Sequence, residues 1–208
     1  MNENDNNENL LVESDNEGKN EKIDVKKEIF DWLEILVHAI LVVVLCFSFL
    51  FRIATINGPS MENTLHEGER VMISNLFYTP KNGDIVVISR NKNNNIYEET
   101  DENTRIIKRI IATEGQTVNI DFEKGVVYVD GVELDEPYVK TPTNRDFDIE
   151  FPVTVDEGCV FVLGDNRNDS LDSRSSSIGE YGMVDTRYIL GKAVFRIFPF
   201  DKVGGLYG

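Results

Sequence analysis

Ser60 follows Gly58-Pro59 and precedes Met61. A serine hydroxyl is a poor nucleophile unless a nearby base takes its proton. The usual base, histidine, is scarce here: the chain has only His38 and His66. His38 falls inside a long apolar run, and His66 lies too close along the chain to fold back onto Ser60. Lysine is the other choice, and Lys108 sits in Ile106-Ile107-Lys108-Arg109-Ile110-Ile111. An amine moved into apolar surroundings loses solvation of its charged form, and its pKa falls from about 10.4 by up to about 3–5 units when burial is complete. The neutral amine can then accept a proton, which a guanidinium cannot do. Strand alternation puts either Ile107 and Arg109 or Ile106 and Lys108 on the buried face. The same pattern fits a lysine facing solvent on an edge strand.

A third group follows an apolar run ending at Leu163. Gly164-Asp165-Asn166-Arg167 are turn formers whose side chains bond back to the backbone. Ser170, Asp172, Ser173 and Arg174 come after them. A serine hydroxyl can orient a lysine amine, and an aspartate–arginine pair can brace a loop through two parallel hydrogen bonds. At the Ser60 turn, Gly58 allows close approach of another chain and Pro59 fixes the backbone direction. An exposed serine there can attack a carbonyl while its own N–H steadies the developing oxyanion.

The elements that must position these groups are short and mostly extended. Arg70–Ile73, Asp84–Ile88, Arg105–Ile111, Val160–Leu163 and Ala193–Ile197 are rich in β-branched residues. Gly125–Leu134 reads as a hairpin around Asp130-Gly131, which suits a tight turn of left-handed geometry. Outside the apolar run no long amphipathic helix is visible, so the fold class is mainly β. Asn91–Thr104 and Lys140–Asp148 read as surface loops.

Upstream of Ser60, the stretch Ile35–Phe51 carries no charged side chain. With Phe30 and Trp32 it reaches about 20 residues, or roughly 30 Å as a helix, the thickness of a bilayer core. Its exit, Phe49-Leu50-Phe51-Arg52-Ile53, is bulky, unlike the small residues of a cleavable leader. An uncleaved transmembrane helix over 29–51 is therefore expected. Lys22, Lys26 and Lys27 precede it and Arg52 follows, which puts the N-terminus in the cytoplasm and the rest of the chain outside. Residues 1–28 read as a disordered acidic tail, and 52–208 as the β-rich domain, with a small inserted subdomain about 120–157.

Composition narrows the partners. A net charge of −16 over 208 residues speaks against nucleic acid and against electrostatic attachment to anionic lipid. Contact with a phospholipid bilayer must then be apolar, and Phe77 and Tyr78 are candidates to dip into it. Cys46 and Cys159 have no metal-like spacing, and one lies in the apolar run. No metal and no cofactor are expected.

Taken in order, these motifs resemble bacterial type I signal peptidase, in its Gram-positive form, over about 150 residues. Ser60-Met61-Glu62-Asn63-Thr64-Leu65 is similar to the nucleophile box, and Gly83–Val87 to the strand after it. Ile107–Ile111 is similar to the general-base box, and Gly164–Arg174 to the last box. The resemblance implies a signal-peptidase-like β-rich catalytic domain behind one transmembrane helix. It implies a serine endopeptidase that removes signal peptides from exported preproteins, with Ser60 as nucleophile and Lys108 as general base. Ser170 would hold the Lys108 amine, and Asp172 with Arg174 would brace the site beside Gly164, Asp165 and Asn166. Gly58 stands where some members have a serine that supplies a second oxyanion donor. Asn63 replaces a usual proline, and Asp169 a frequent asparagine. An extended substrate would present small residues to pockets walled by Ile56, Met61, Leu65 and Ile106. Two rivals share parts of this pattern: a self-cleaving repressor, which would carry a DNA-binding domain, and a membrane-tethered binding module with an inactive site.

Overall fold

The computed structural model describes residues 25–89 and 105–207. Residues 1–24 of the tail expected over 1–28 and the whole loop expected at 91–104 lie outside them, while residues 25–28, expected to be disordered, are helical. The chain divides into two units, 1–44 and 45–208.

Helix α1 runs Val25–Leu50. It starts before the expected span and stops one residue short of it, because Phe51 opens a strand. Among the described residues no helix is long and apolar enough to cross a membrane. Glu28, Asp31 and Glu34 fall in its first part, whereas the large apolar side chains from Ile35 to Leu45 are exposed all round it.

The second unit is a β structure of two sheets. The larger contains β1 (Phe51–Thr55), β2 (Arg70–Ser74), β3 (Ile85–Ser89), β4 (Arg105–Thr113), β9 (Cys159–Leu163), β10 (Val184–Asp185), β11 (Ile189–Phe198) and β12 (Gly204–Gly205). Its order is β1-β2-β11-β3-β4-β9-β10, with β12 also on β11. The smaller sheet is formed by β5 (Thr117–Asp121), β6 (Val126–Val129), β7 (Val132–Glu133) and β8 (Val153–Thr154), in the order β7-β6-β5-β8. The β6–β7 hairpin turns at Asp130 (φ 51°) and Gly131 (φ 78°), the doubly left-handed geometry that selects an Asp-Gly pair.

Strands β3 and β4 explain why alternation alone did not assign a face to Lys108. Ile85, Val87 and Ile107 enter one core cluster with Ile56, Met61, Leu65, Val71 and Ala193. Val86, Ile88 and Ile110 enter another, against Val162 and Ile189. Both faces are covered, so these strands read as continuous apolar runs with no polar side. A third cluster, with Phe161 and Leu163 at its centre, fills the space between β4–β9 and the smaller sheet through Val118 and Val127.

Two expectations need correction here. Tyr78 does not face outward: it packs against the second of these clusters and its hydroxyl donates to Asp84 at 2.8 Å. Phe77 is 95 % exposed. The stretch Lys140–Asp148 is not wholly surface, because Thr143 is buried and accepts a hydrogen bond from Arg167.

Candidate active site

The turn after β1 presents Ser60, and β4 presents Lys108. Ladder pairing sets Lys108 opposite Val86 in β3. Its Nζ reaches Ser60 Oγ at 2.8 Å and Ile107 O at 3.0 Å, and the residue is only 3 % exposed. Ser60 itself is half-buried, so its hydroxyl remains reachable. His38 is bonded to its own helix backbone at Glu34, and His66 faces Glu69 at 3.6 Å. Neither histidine is engaged with Ser60.

The Gly164–Arg174 loop grips the Ser60 turn from behind. Asn166 donates its backbone N–H to Ser60 O at 3.0 Å and its side-chain amide to Pro59 O at 3.1 Å. Asp165 accepts from Thr64 Oγ1 at 2.5 Å. The same carboxylate receives both arms of Arg109, Nε at 2.9 Å and Nη2 at 2.7 Å. The residue next to Lys108 on β4 is thereby tied to both ends of the serine turn. Burial works against the Arg109 charge, but the Asp165 carboxylate outweighs it and holds the guanidinium above its usual pKa. The Tyr138 ring covers this guanidinium, 3.8 Å from its centre.

Asp172 and Arg174 form the brace that the sequence suggested. Arg174 donates to both carboxylate oxygens, at 2.8 and 2.9 Å, and both side chains are fully buried. Asp172 also accepts the Gly164 N–H at 3.0 Å. Arg174 further caps the carbonyls of Arg145 and Arg167. Every polar arm of these buried ions is satisfied, the condition under which burying a charge pair is tolerable.

Ser170 is placed differently from its expected role. It is buried beside Gly164, but its hydroxyl makes no hydrogen bond in this arrangement. The expected pocket walls also shift: Ile56, Met61 and Leu65 are core residues that back the Ser60 turn rather than line an open surface, while Ile106 is half-buried. Gly58 takes φ +82° with open space where a Cβ would stand, so its backbone rather than crowding asks for glycine.

Several site residues escaped sequence reasoning. Arg109 left one signal, a second cation inside the Ile run. Glu136, which takes both arms of Arg167, and Tyr138 left none, because they reach the site only through tertiary packing. The Asn63 and Asp169 positions are exposed. Among the described residues no group of side chains is arranged to hold a metal ion.

A half-buried serine is thus in contact with a buried lysine, on a turn held by an Asp–Asn loop. The family profile for signal peptidase, peptidase S26, matches residues 29–198. Signal peptidase I of Bacillus licheniformis is 32% identical over 191 residues, covering 86% of this chain and 93% of that protein. Signal peptidase I of Bacillus amyloliquefaciens is 33% identical over 190 residues, covering 88% and 95%. Signal peptidase IB of Staphylococcus aureus (strain COL) is 31% identical over 196 residues, covering 86% and 94%. A solved signal peptidase I from Enterococcus faecalis V583 is 28% identical and covers 56% of this chain and 98% of that one, at a TM-score of 0.43, too loose a likeness to define the fold. The chain belongs to the signal peptidase family, peptidase S26. It is a serine protease of the signal peptidase I class, a hydrolase whose family removes signal peptides from preproteins.

Proposed function

We propose that the chain cleaves signal peptides from exported preproteins, after small residues in an Ala-X-Ala-like pattern, by a Ser60–Lys108 dyad acting through an acyl-enzyme. The observation that carries this reading is the 2.8 Å contact between a buried Lys108 amine and the Ser60 hydroxyl. In its neutral form the amine accepts the Ser60 proton as Oγ attacks the scissile carbonyl. The Ser60 N–H lies at the same turn and is the natural donor to the oxyanion. The resulting ammonium returns the proton to the leaving amine, and the signal-peptide residue stays esterified to Oγ. Lys108 then takes a proton from water as the hydroxide attacks the ester, and returns it to Oγ as the carbonyl–Oγ bond breaks, which frees Ser60 and leaves the amine neutral.

The remaining side chains set geometry. Arg109, Asp165 and Asn166 fix the serine turn, and Asp172 with Arg174 fixes the loop that supplies them. By the motif match, Ser170 remains the candidate holder of the Lys108 amine. The substrate would lie extended beside the turn and pair through its backbone.

Membrane anchoring belongs to the same proposal. A helix apolar on nearly every side is suited to lipid rather than water, and the Ile35–Leu45 stretch of α1, with His38 its one interruption, is of that kind. The sequence stays uncharged through Phe51. With lysines before it, the N-terminus would be cytoplasmic and the β unit extracytoplasmic.

The test is cleavage of a preprotein by the full chain in detergent. The parent should release the mature product. Ser60→Ala should abolish release, and Lys108→Ala should lower kcat by about 10²–10⁴-fold. No turnover by the parent would leave a tethered binding module instead.

A further inference from the structure

Residues 199–207 lie past the stretch that the family profile matches, and the mechanism above makes no use of them. They fold back onto the larger sheet. Gly204 and Gly205 pair with Arg196 and Phe195 of β11. Arg196 in turn donates to the carbonyl of Thr64, at the far end of the serine turn, at 2.6 Å. Leu206 then enters the core cluster that contains Ile56, Met61 and Leu65, which flank Ser60, and Ile107, the neighbour of Lys108.

Tyr207 completes the return. The β3–β11 ladder runs through Ile88/Ile189, Val87/Gly191 and Val86/Lys192 and stops there. One residue further on, the Tyr207 hydroxyl accepts the Ile85 N–H at 2.8 Å and donates to Ala193 O at 3.0 Å. A single phenol thus joins the two strands where their backbones part. The Lys192 ammonium lies 4.5 Å from the ring centre. Ile85 and Val86 are the ladder partners of Arg109 and Lys108. Burial also raises the phenol pKa to about 12, so the hydroxyl keeps the proton that it donates.

We propose that the Leu206–Tyr207 tail is a positioning element for the Ser60–Lys108 pair, with the Tyr207 hydroxyl fixing the start of β3 beside Lys108 and Leu206 backing the Ser60 turn. The proposal rests on the Ser60–Lys108 reading. Neither residue touches the reacting atoms. Their effect passes through the β3–β4 register on one side and the shared core cluster on the other.

The experiment uses the full chain in detergent, with parent, Tyr207→Phe, Leu206→Ala and Leu206→Met assayed at a temperature where all are folded. Tyr207→Phe should lower kcat about 10-fold with KM unchanged, as expected when reacting groups are misplaced by a fraction of an ångström. Amide exchange at Ile85 should quicken in the same variant. Leu206→Ala should lower kcat, and Leu206→Met should restore most of it. Parental kcat in either Tyr207→Phe or Leu206→Ala, even with a lowered unfolding temperature, would mean a merely structural tail and overturn the proposal, as would unchanged Ile85 exchange. A parent that cleaves beside an equally active Tyr207→Phe sinks this proposal alone. A parent that cleaves nothing sinks the Ser60–Lys108 reading and this proposal with it.

Discussion

Gly164 sits so close to Ser60 that a Cβ built on it would lie 2.5 Å from the Ser60 carbonyl oxygen, and nearer still to the Ser170 hydroxyl. The glycine is therefore set by crowding against the serine turn. Gly164→Ala must push that turn or the Ser170 side chain aside. Such overpacking costs about 1–3 kcal/mol, and the displacement falls on the nucleophile. Expected are a lowered unfolding midpoint and a loss of kcat larger than the lost stability explains. Parental kinetics in a folded Gly164→Ala chain would contradict the close approach.

Removing one member of the Asp172–Arg174 pair leaves a buried charge with no partner. Asp172→Ala should cost about 3–5 kcal/mol of folding stability, measured by denaturant unfolding. Arg174→Lys, with Asp172 kept, should also destabilise, because an ammonium cannot reproduce the two parallel bonds or reach both the Arg145 and Arg167 carbonyls.

The Lys140–Glu62 bridge makes the opposite case. It spans 2.6 Å and joins the Ser60 turn to the segment after β7, but its side chains are 46% and 28% exposed. The hydrogen bond from Lys140 holds the Glu62 carboxyl below its ordinary range, yet solvent and salt screen such a pair. Glu62→Gln is expected to leave both the unfolding midpoint and kcat unchanged within error. A large fall in either would show the bridge to be structural.

If a neutral Lys108 is the base, cleavage must rise with pH. A rate that stays flat between roughly pH 5 and pH 9 would rule that role out. The substrate must be one whose own charge does not change over that range.

Stability should bend at alkaline pH. Burial raises the Tyr207 phenol from 10.0 to about 12, and it also pushes Tyr78 and Tyr138 upward. The folded state holds these protons more tightly than the unfolded chain does. Their contribution is complete below about pH 10 and is lost as pH climbs through the folded values. Denaturant unfolding across that range should show a falling free energy, with a shallower slope in Tyr207→Phe.

Much of the larger sheet could be read from β-branched runs, and β2, β3, β4, β9 and β11 stand where those runs lie, with ends moved by a few residues. Strand β1 was hidden because Phe51-Arg52-Ile53 continues the apolar segment before it, so the helix-to-strand change carries no compositional break. Strand β5 has its own alternation in Thr117-Val118-Asn119-Ile120-Asp121 but is short and lacks strong turn signals. At the site, Ser60 and Lys108 meet as expected. The Asp165–Arg109 link could not be read, since the two are separated by 56 positions and joined only by folding. Ile56, Met61 and Leu65 misled for a physical reason: apolar residues beside a nucleophile can either face substrate or support it, and sequence gives the same letters for both.

The arginines sealed in the interior, Arg109, Arg167 and Arg174, are each neutralised by a carboxylate within reach, Asp165, Glu136 and Asp172. They do nothing to offset the −16 net charge as seen from outside. Residues 52–208 taken alone still carry more acidic than basic side chains, so their surface is expected to draw in cationic peptides and discourage anionic ones. Capture of a substrate with a basic leading end should quicken in dilute buffer and slow as ionic strength rises, even though the bond-breaking step is indifferent to salt.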